Sequence, residues 1–212
     1  MITTAKVISL GFLSIGIFVL MQVILPVVSF QIWEIGQKYN NKVLSSPKLP
    51  QNQLLGISIE TKNNFPFFVS TQKRENFPSY SEFSLTIQSV NLVETDVYVD
   101  SNDLSKGLVH LPGTALPGER GNVFISGHSA LNNFWSKNAF FAKLPDIKKG
   151  DRIDVFANGA KFVYHVMEIK TVSPTDLSVI VPPEKEGRYI SLMTCVPPGL
   201  NFKRLIVLGK MI

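Results

Sequence analysis

DVFANGAKFVYHV, residues 154–166, sets Asn158 and Gly159 between two apolar stretches. That dipeptide accepts the left-handed backbone of a two-residue hairpin turn at low cost, so the segment predicts antiparallel strands over 152–157 and 161–170. Upstream, FSLTIQSV at 83–90 alternates Phe83, Leu85 and Ile87 with Ser84, Thr86 and Gln88, the period-two pattern of a half-buried strand. Further strands are expected near 95–99, 107–110, 122–126, 189–194 and 204–208, separated by turn-forming stretches such as LPGTALPGERGN. A helical turn or two is expected in 137–144, before LPDIKKGD. Eight short strands with few helices predict a mainly β fold, either a closed barrel or a sandwich.

The chain has 212 residues, enough for one domain of typical size plus an anchor. Its 21 Lys and Arg exceed its 16 Asp and Glu, giving a formal charge of +5. The basic residues are scattered, and no basic stripe with interleaved aromatics is present, so nucleic-acid binding is not expected. Residues 34–82 are rich in Asn, Gln, Ser and Pro and read as a linker and approach segment. Within it LLGISI at 54–59 and the apolar run at 65–69 are expected to form short helices or strands.

From residue 7 to residue 33 no side chain carries a charge, and a bilayer core needs about 20 apolar residues as helix. Residues 1–33 are therefore expected to form a short cytoplasmic stub and one transmembrane helix, with Trp33 at the interface. A cleaved signal peptide fits less well, because the run exceeds the usual apolar region and no small-x-small cleavage site follows it. Charge alone points to the opposite orientation. Lys6 precedes the run, whereas Lys38, Lys42 and Lys48 follow it.

Chemistry concentrates in SLMTCVPPGLNFKRLIVLG, residues 191–209, which holds the only cysteine, Cys195, at the end of one apolar strand and Arg204 at the start of the next. NVFISGHSA, residues 122–130, presents His128 just past another apolar strand. A thiol, an imidazole and a guanidinium at strand ends outline a site for cysteine acyl transfer. His110 and His165 have no matching position, and Arg188 reads as solvated. Asp103, Glu119 and Asp176 show no cation-loop spacing, so no metal and no cofactor are expected.

HLPGTALPGERGNVFISGHS (110–129), FFAKLPDIKKGDRIDVF (140–156) and SLMTC followed by Arg204 together resemble a sortase, a bacterial cell-surface cysteine transpeptidase. The resemblance runs from about residue 83 to residue 209, with Ser191 in the first place of the family's TLxTC signature. It implies a closed β-barrel of about eight strands with short helices over 83–212. It also implies a single-pass anchor with the catalytic domain outside the cell membrane, against the charge count. Cys195 would attack a backbone carbonyl of an LPxTG-like C-terminal sorting motif in a secreted protein and hold the acyl fragment as a thioester. His128 would serve as acid and base, and Arg204 would bind the oxyanion or the substrate backbone. Thr194 is expected to give the substrate a further hydrogen bond. The acceptor would be an amine, on a peptidoglycan precursor or a pilin lysine. L,D-transpeptidases, also surface cysteine enzymes, place an Arg almost directly after the Cys, where Val196 and Pro197 stand here. A noncatalytic membrane-tethered β domain that binds wall or protein ligands is the alternative without chemistry.

Overall fold

The computed structural model describes residues 78–129, 138–198 and 202–212, the backbone of 57–62 and 65–70, and at the N-terminus helical residues 11–18, 20–22, 24–25, 28, 31–32 and 35. The chain divides into two compact units, residues 1–44 and 45–212. In the first, apolar side chains such as Phe12, Ile17 and Leu25 are exposed. Among the described residues no helix is long and apolar enough to cross a membrane. The expected transmembrane span therefore rests on the sequence alone, part of it lying outside the described residues.

In the second unit, β1 (Ile57–Lys62) and β2 (Phe65–Ser70) form a two-stranded antiparallel sheet inside the stretch read as a linker. The remaining strands are β3 (Glu82–Ile87), β4 (Leu92–Tyr98), β5 (Leu108–His110), β6 (Gly121–Ser126), β7 (Arg152–Ala157), β8 (Ala160–Val172), β9 (Arg188–Val196) and β10 (Lys203–Met211). They close into a barrel in the order β10-β8-β7-β3-β4-β5-β6-β9. Pairs β4–β5 and β6–β9 are parallel, and the other pairs are antiparallel. Closure gives every barrel strand a partner on both sides. Asn158 and Gly159 both take positive φ, 48° and 75°, and turn β7 into β8 with Ala157 opposite Ala160.

Several boundaries differ from the sequence expectation, and two of the differences have a local cause. The strand expected over 83–90 ends at Ile87, because 88–90 close into a 3-10 turn whose next residue, Asn91, is left-handed at φ 58°. Asn tolerates that conformation better than most residues. The helical turn expected in 137–144 is a 3-10 turn at Leu144–Asp146, where Pro145 sits in the first positions and its missing N–H costs nothing.

Burial explains which strands alternate. β3 and β7 bury every second residue, so only one face is covered. β9 is buried at every position from Tyr189 to Val196, and β6 from Asn122 to Ser126. Leu85, Leu108, Ile125, Val155, Leu192 and Val207 fill the barrel interior and are completely buried. On the outer face Leu111, Phe124, Met193 and Ile206 pack under Val179, with Val172, Leu177 and Ile180 beside them. The connection between β8 and β9, which carries the 3-10 turn Ser178–Ile180, thus covers a second small core on the outside of the barrel. An apolar run without alternation is the sequence trace of strands buried on both faces.

Candidate active site

The register of three adjacent strands assembles the site. β6 runs parallel to β9 and β10 runs antiparallel to it, so the end of β6, the end of β9 and the start of β10 lie at one rim. Cys195 and Arg204 are direct cross-strand partners, which puts their Cβ atoms about 5 Å apart on one face. Both alternate in phase with Met193 and Ile206 and therefore face outward, toward the covered outer core. Both are nearly inaccessible, at 4% and 1% exposure. One guanidinium N–H of Arg204 donates to the Lys203 carbonyl at 3.2 Å, which fixes the head against its own strand.

His128 reaches the same rim through β6. Ser126 pairs with Met193, and the Gly127 N–H donates to the Met193 carbonyl at 3.1 Å, carrying the chain forward to the level of Cys195. The hydroxyl of Thr194 donates to the Gly127 carbonyl at 2.9 Å, and the Phe141 N–H donates to the His128 carbonyl at 3.1 Å. His128 is thus held on both sides by backbone contacts while its ring stays half-buried. A Cβ on Gly127 would overlap the side chains of Leu108 and Phe141, so a larger residue here would force those buried neighbours to shift.

The pleat of β9 places Thr194 opposite to its neighbour. It alternates with Cys195 and faces the barrel interior, where it is fully buried and its hydroxyl is spent on Gly127. In this position Thr194 supports the segment that carries His128. Thr194→Val keeps the shape and removes the donor, leaving a buried carbonyl short of its partner. We expect a loss of about 1–3 kcal/mol of stability, measured by urea unfolding. Gly127→Ala should cost a similar amount through overpacking. Stabilities equal to wild type in both variants would contradict this support.

Beside Arg204 lies a groove lined by Phe124, Val172, Leu177, Val179, Ile180 and Met193, with Asp176 at its wall. It is a narrow crevice, mostly apolar, with the Arg204 head and Asp176 as its charged lining residues. Residues 130–137, between His128 and Phe140, lie outside the described residues.

Other residues singled out by sequence sit elsewhere. His110 is completely buried facing the interior, edge-on to Phe83, with Nε2 3.0 Å from the Ala115 carbonyl and Nδ1 3.3 Å from an Asp100 carboxylate oxygen. His165 is exposed on β8, and Arg188 donates to the Gly118 carbonyl at 2.8 Å. Among the described residues no group of three or more His, Cys, Asp or Glu could hold a metal ion.

Burial pushes the Cys195 thiol above its ordinary value, a rise partly opposed by the Arg204 charge. Burial also holds the His128 imidazole below its ordinary value. Both shifts favour the uncharged forms, so near neutral pH the pair rests as thiol and neutral imidazole. A buried thiol, a half-buried imidazole and a buried guanidinium at one rim are the group types that acyl transfer uses.

Comparison with known proteins settles the family. The family model for the sortase domain matches residues 85–212. The chain belongs to the sortase family. It is 30% identical over 114 residues to sortase D of Bacillus subtilis, covering 52% of this chain and 53% of the relative. Against sortase A of Bacillus anthracis it is 32% identical over 94 residues, covering 44% and 41%. The chain thus spans about half the length, or less, of these curated relatives. Among solved structures, a lid mutant of sortase A from Corynebacterium diphtheriae aligns with a TM-score of 0.56 and 31% identity, covering 63% of this chain and 70% of that one. Sortase C-1 from Actinomyces oris aligns at 0.55 and 31%, covering 61% and 73%. The sortase-like closed barrel expected from the sequence is the fold found.

Proposed function

We propose that this sortase is a membrane-anchored cysteine transpeptidase that cleaves an LPxTG-like sorting motif through a thioester on Cys195 and passes the acyl group to an amine. The observation that carries this reading is the direct pairing of Cys195 with Arg204, whose side chain lines the apolar groove. The thiolate attacks the scissile carbonyl and the S–C bond forms. Arg204 stabilises the oxyanion that develops, and His128 gives its proton to the leaving amine as the C–N bond breaks. In the second half the incoming amine attacks the thioester, His128 takes its proton, and Cys195 departs as thiolate. The groove receives the apolar residue of the sorting motif. The acceptor is an amine of a peptidoglycan precursor or a pilin lysine. Residues 1–33 anchor the enzyme as a single pass with the barrel outside the membrane, their exposed apolar side chains meeting lipid instead of water.

The pH dependence tests the chemistry. The thiol–imidazole and thiolate–imidazolium forms hold the same number of protons, so the rate depends on the two macroscopic titrations of the pair. Below the lower titration both groups are protonated, and above the upper one both are deprotonated; neither state reacts. Burial moves the two outward, so the bell of kcat/KM for a quenched LPxTG-like peptide should be broad. Its acid limb should lie below the ordinary imidazole value of 6.5 and its alkaline limb above the ordinary thiol value of 9.0. A narrow bell with both limbs between those values would contradict the neutral resting pair.

A further inference from the structure

One buried amide ties the groove wall to the barrel. Asn122 stands on β6, on the outer face with Phe124 and Ser126, and is 3% exposed. Its side-chain N–H groups donate to the carbonyls of Val179 at 3.2 Å and Ile180 at 3.0 Å. These carbonyls end the 3-10 turn Ser178–Ile180, whose own bonds run from the Ile180 N–H to Leu177 and from the Val181 N–H to Ser178. The turn therefore finishes with two acceptors that no residue of the turn can meet, the usual condition of a helix end. Asn122 meets both from a neighbouring strand.

The orientation of the amide is fixed by the same contacts. Turning it over would set its oxygen against two carbonyl oxygens. The oxygen itself is buried with no hydrogen-bond partner among the described residues, so nothing else holds the side chain in this pose. Further polar ties of the 173–187 connection to the barrel lie near its end, from the Gly121 N–H to the Gly187 carbonyl at 2.8 Å and from Lys210 to Glu184. The part that walls the groove, Leu177 to Ile180, is fastened by apolar packing and by Asn122.

We propose that Asn122 is a positioning residue: its amide latches the 177–180 wall over the outer core, and so sets the width of the groove that receives the substrate. An amide is required. Aspartate has the same shape, but its ionised carboxylate offers no donor and repels both carbonyls; when protonated it regains one donor. The kinetic part of this proposal rests on the transpeptidase reading, whereas the latch itself is a structural claim with its own readout.

The test compares the full chain in detergent as wild type, Asn122→Asp and Asn122→Ser. Backbone hydrogen exchange is followed by mass spectrometry over 174–182, after correction for intrinsic exchange, together with kcat and KM for a sorting peptide and the iodoacetamide rate of Cys195. At neutral pH both variants should exchange about tenfold faster or more in 174–182, with KM raised by a similar factor and kcat within about twofold. Iodoacetamide should modify Cys195 as in wild type. Only in Asn122→Asp should lowering the pH through its carboxyl titration bring exchange back toward wild type. Unchanged exchange over 174–182 in both variants, or a fall in kcat with KM unchanged, would overturn the proposal. If 152–172 also exchanges faster in Asn122→Asp, Asn122→Ser decides; if it does so in both, Asn122 holds the barrel and not the wall, and the proposal fails. A wild type that turns over no peptide would refute the transpeptidase reading, while the exchange data would still decide the latch.

Discussion

Cys195→Ala should reduce turnover of a sorting peptide to the uncatalysed background while the barrel stays folded. Cys195 is the sole cysteine of the chain, so no second thiol can take its place. Without it the one-step exchange of an amide for an amine faces the full barrier that the thioester divides. The structural cost is small because alanine removes one sulfur from a site already closed by the outer core. We expect a loss of about 1 kcal/mol, which lowers the melting temperature by about 2–4 °C in a chain of this size. Normal turnover in this variant would remove Cys195 from the chemistry. A melting temperature tens of degrees lower would mean that the thiol is there for packing.

Arg204→Lys should have the second largest effect, lowering kcat by about a hundredfold or more. The guanidinium is buried, bonded to the Lys203 carbonyl and paired across the strand with Cys195. Lysine keeps the charge but loses the planar fork, so it can hold the thiol where it titrates without presenting two aligned donors to an oxyanion. The bell of kcat/KM should therefore fall in height with its limbs little moved. Arg204→Met completes the test. Losing the cation removes the effect that lowers the Cys195 thiol, so the alkaline limb should move to higher pH as the maximum falls. A Lys variant with the wild-type maximum, or a Met variant with an unmoved alkaline limb, would contradict these roles.

Much of the barrel is readable in the sequence because its local signals agree. The Asn158-Gly159 turn, the alternation of Phe83, Leu85 and Ile87, and the largely apolar, non-alternating runs of 122–126, 189–194 and 204–208 each specify a strand. Those runs also mark the strands with both faces covered, and these are the strands that carry Cys195, Arg204 and the approach to His128. The finer parts of the site depend on pleat phase and long-range packing. Thr194 is adjacent to Cys195 in sequence, and its inward direction follows only from the pleat, since adjacent residues on a strand face opposite ways. Asn122 reads as a turn residue at the start of a strand, since its partners, Val179 and Ile180, are remote in sequence. VSPTDLSVIVPP mixes turn formers with apolar residues, so its role as a groove wall becomes visible only once β6, β9 and β10 lie beneath it. Gly127 carries one signal that could have been weighed. A glycine directly before a candidate imidazole, at the end of a strand with no turn after it, points to a close approach of another element.

The central claim is that Cys195 carries the substrate acyl group between its donor and its amine acceptor. Intact-mass spectrometry of the wild-type chain, acid-quenched during incubation with an LPxTG-like peptide and no added amine, addresses it most directly. We predict a mass increase equal to the N-terminal fragment of the peptide as an acyl group, mapped to Cys195, absent in Cys195→Ala and discharged when an amine is added. Turnover with no adduct under any quench condition, or an adduct on another residue, would contradict it.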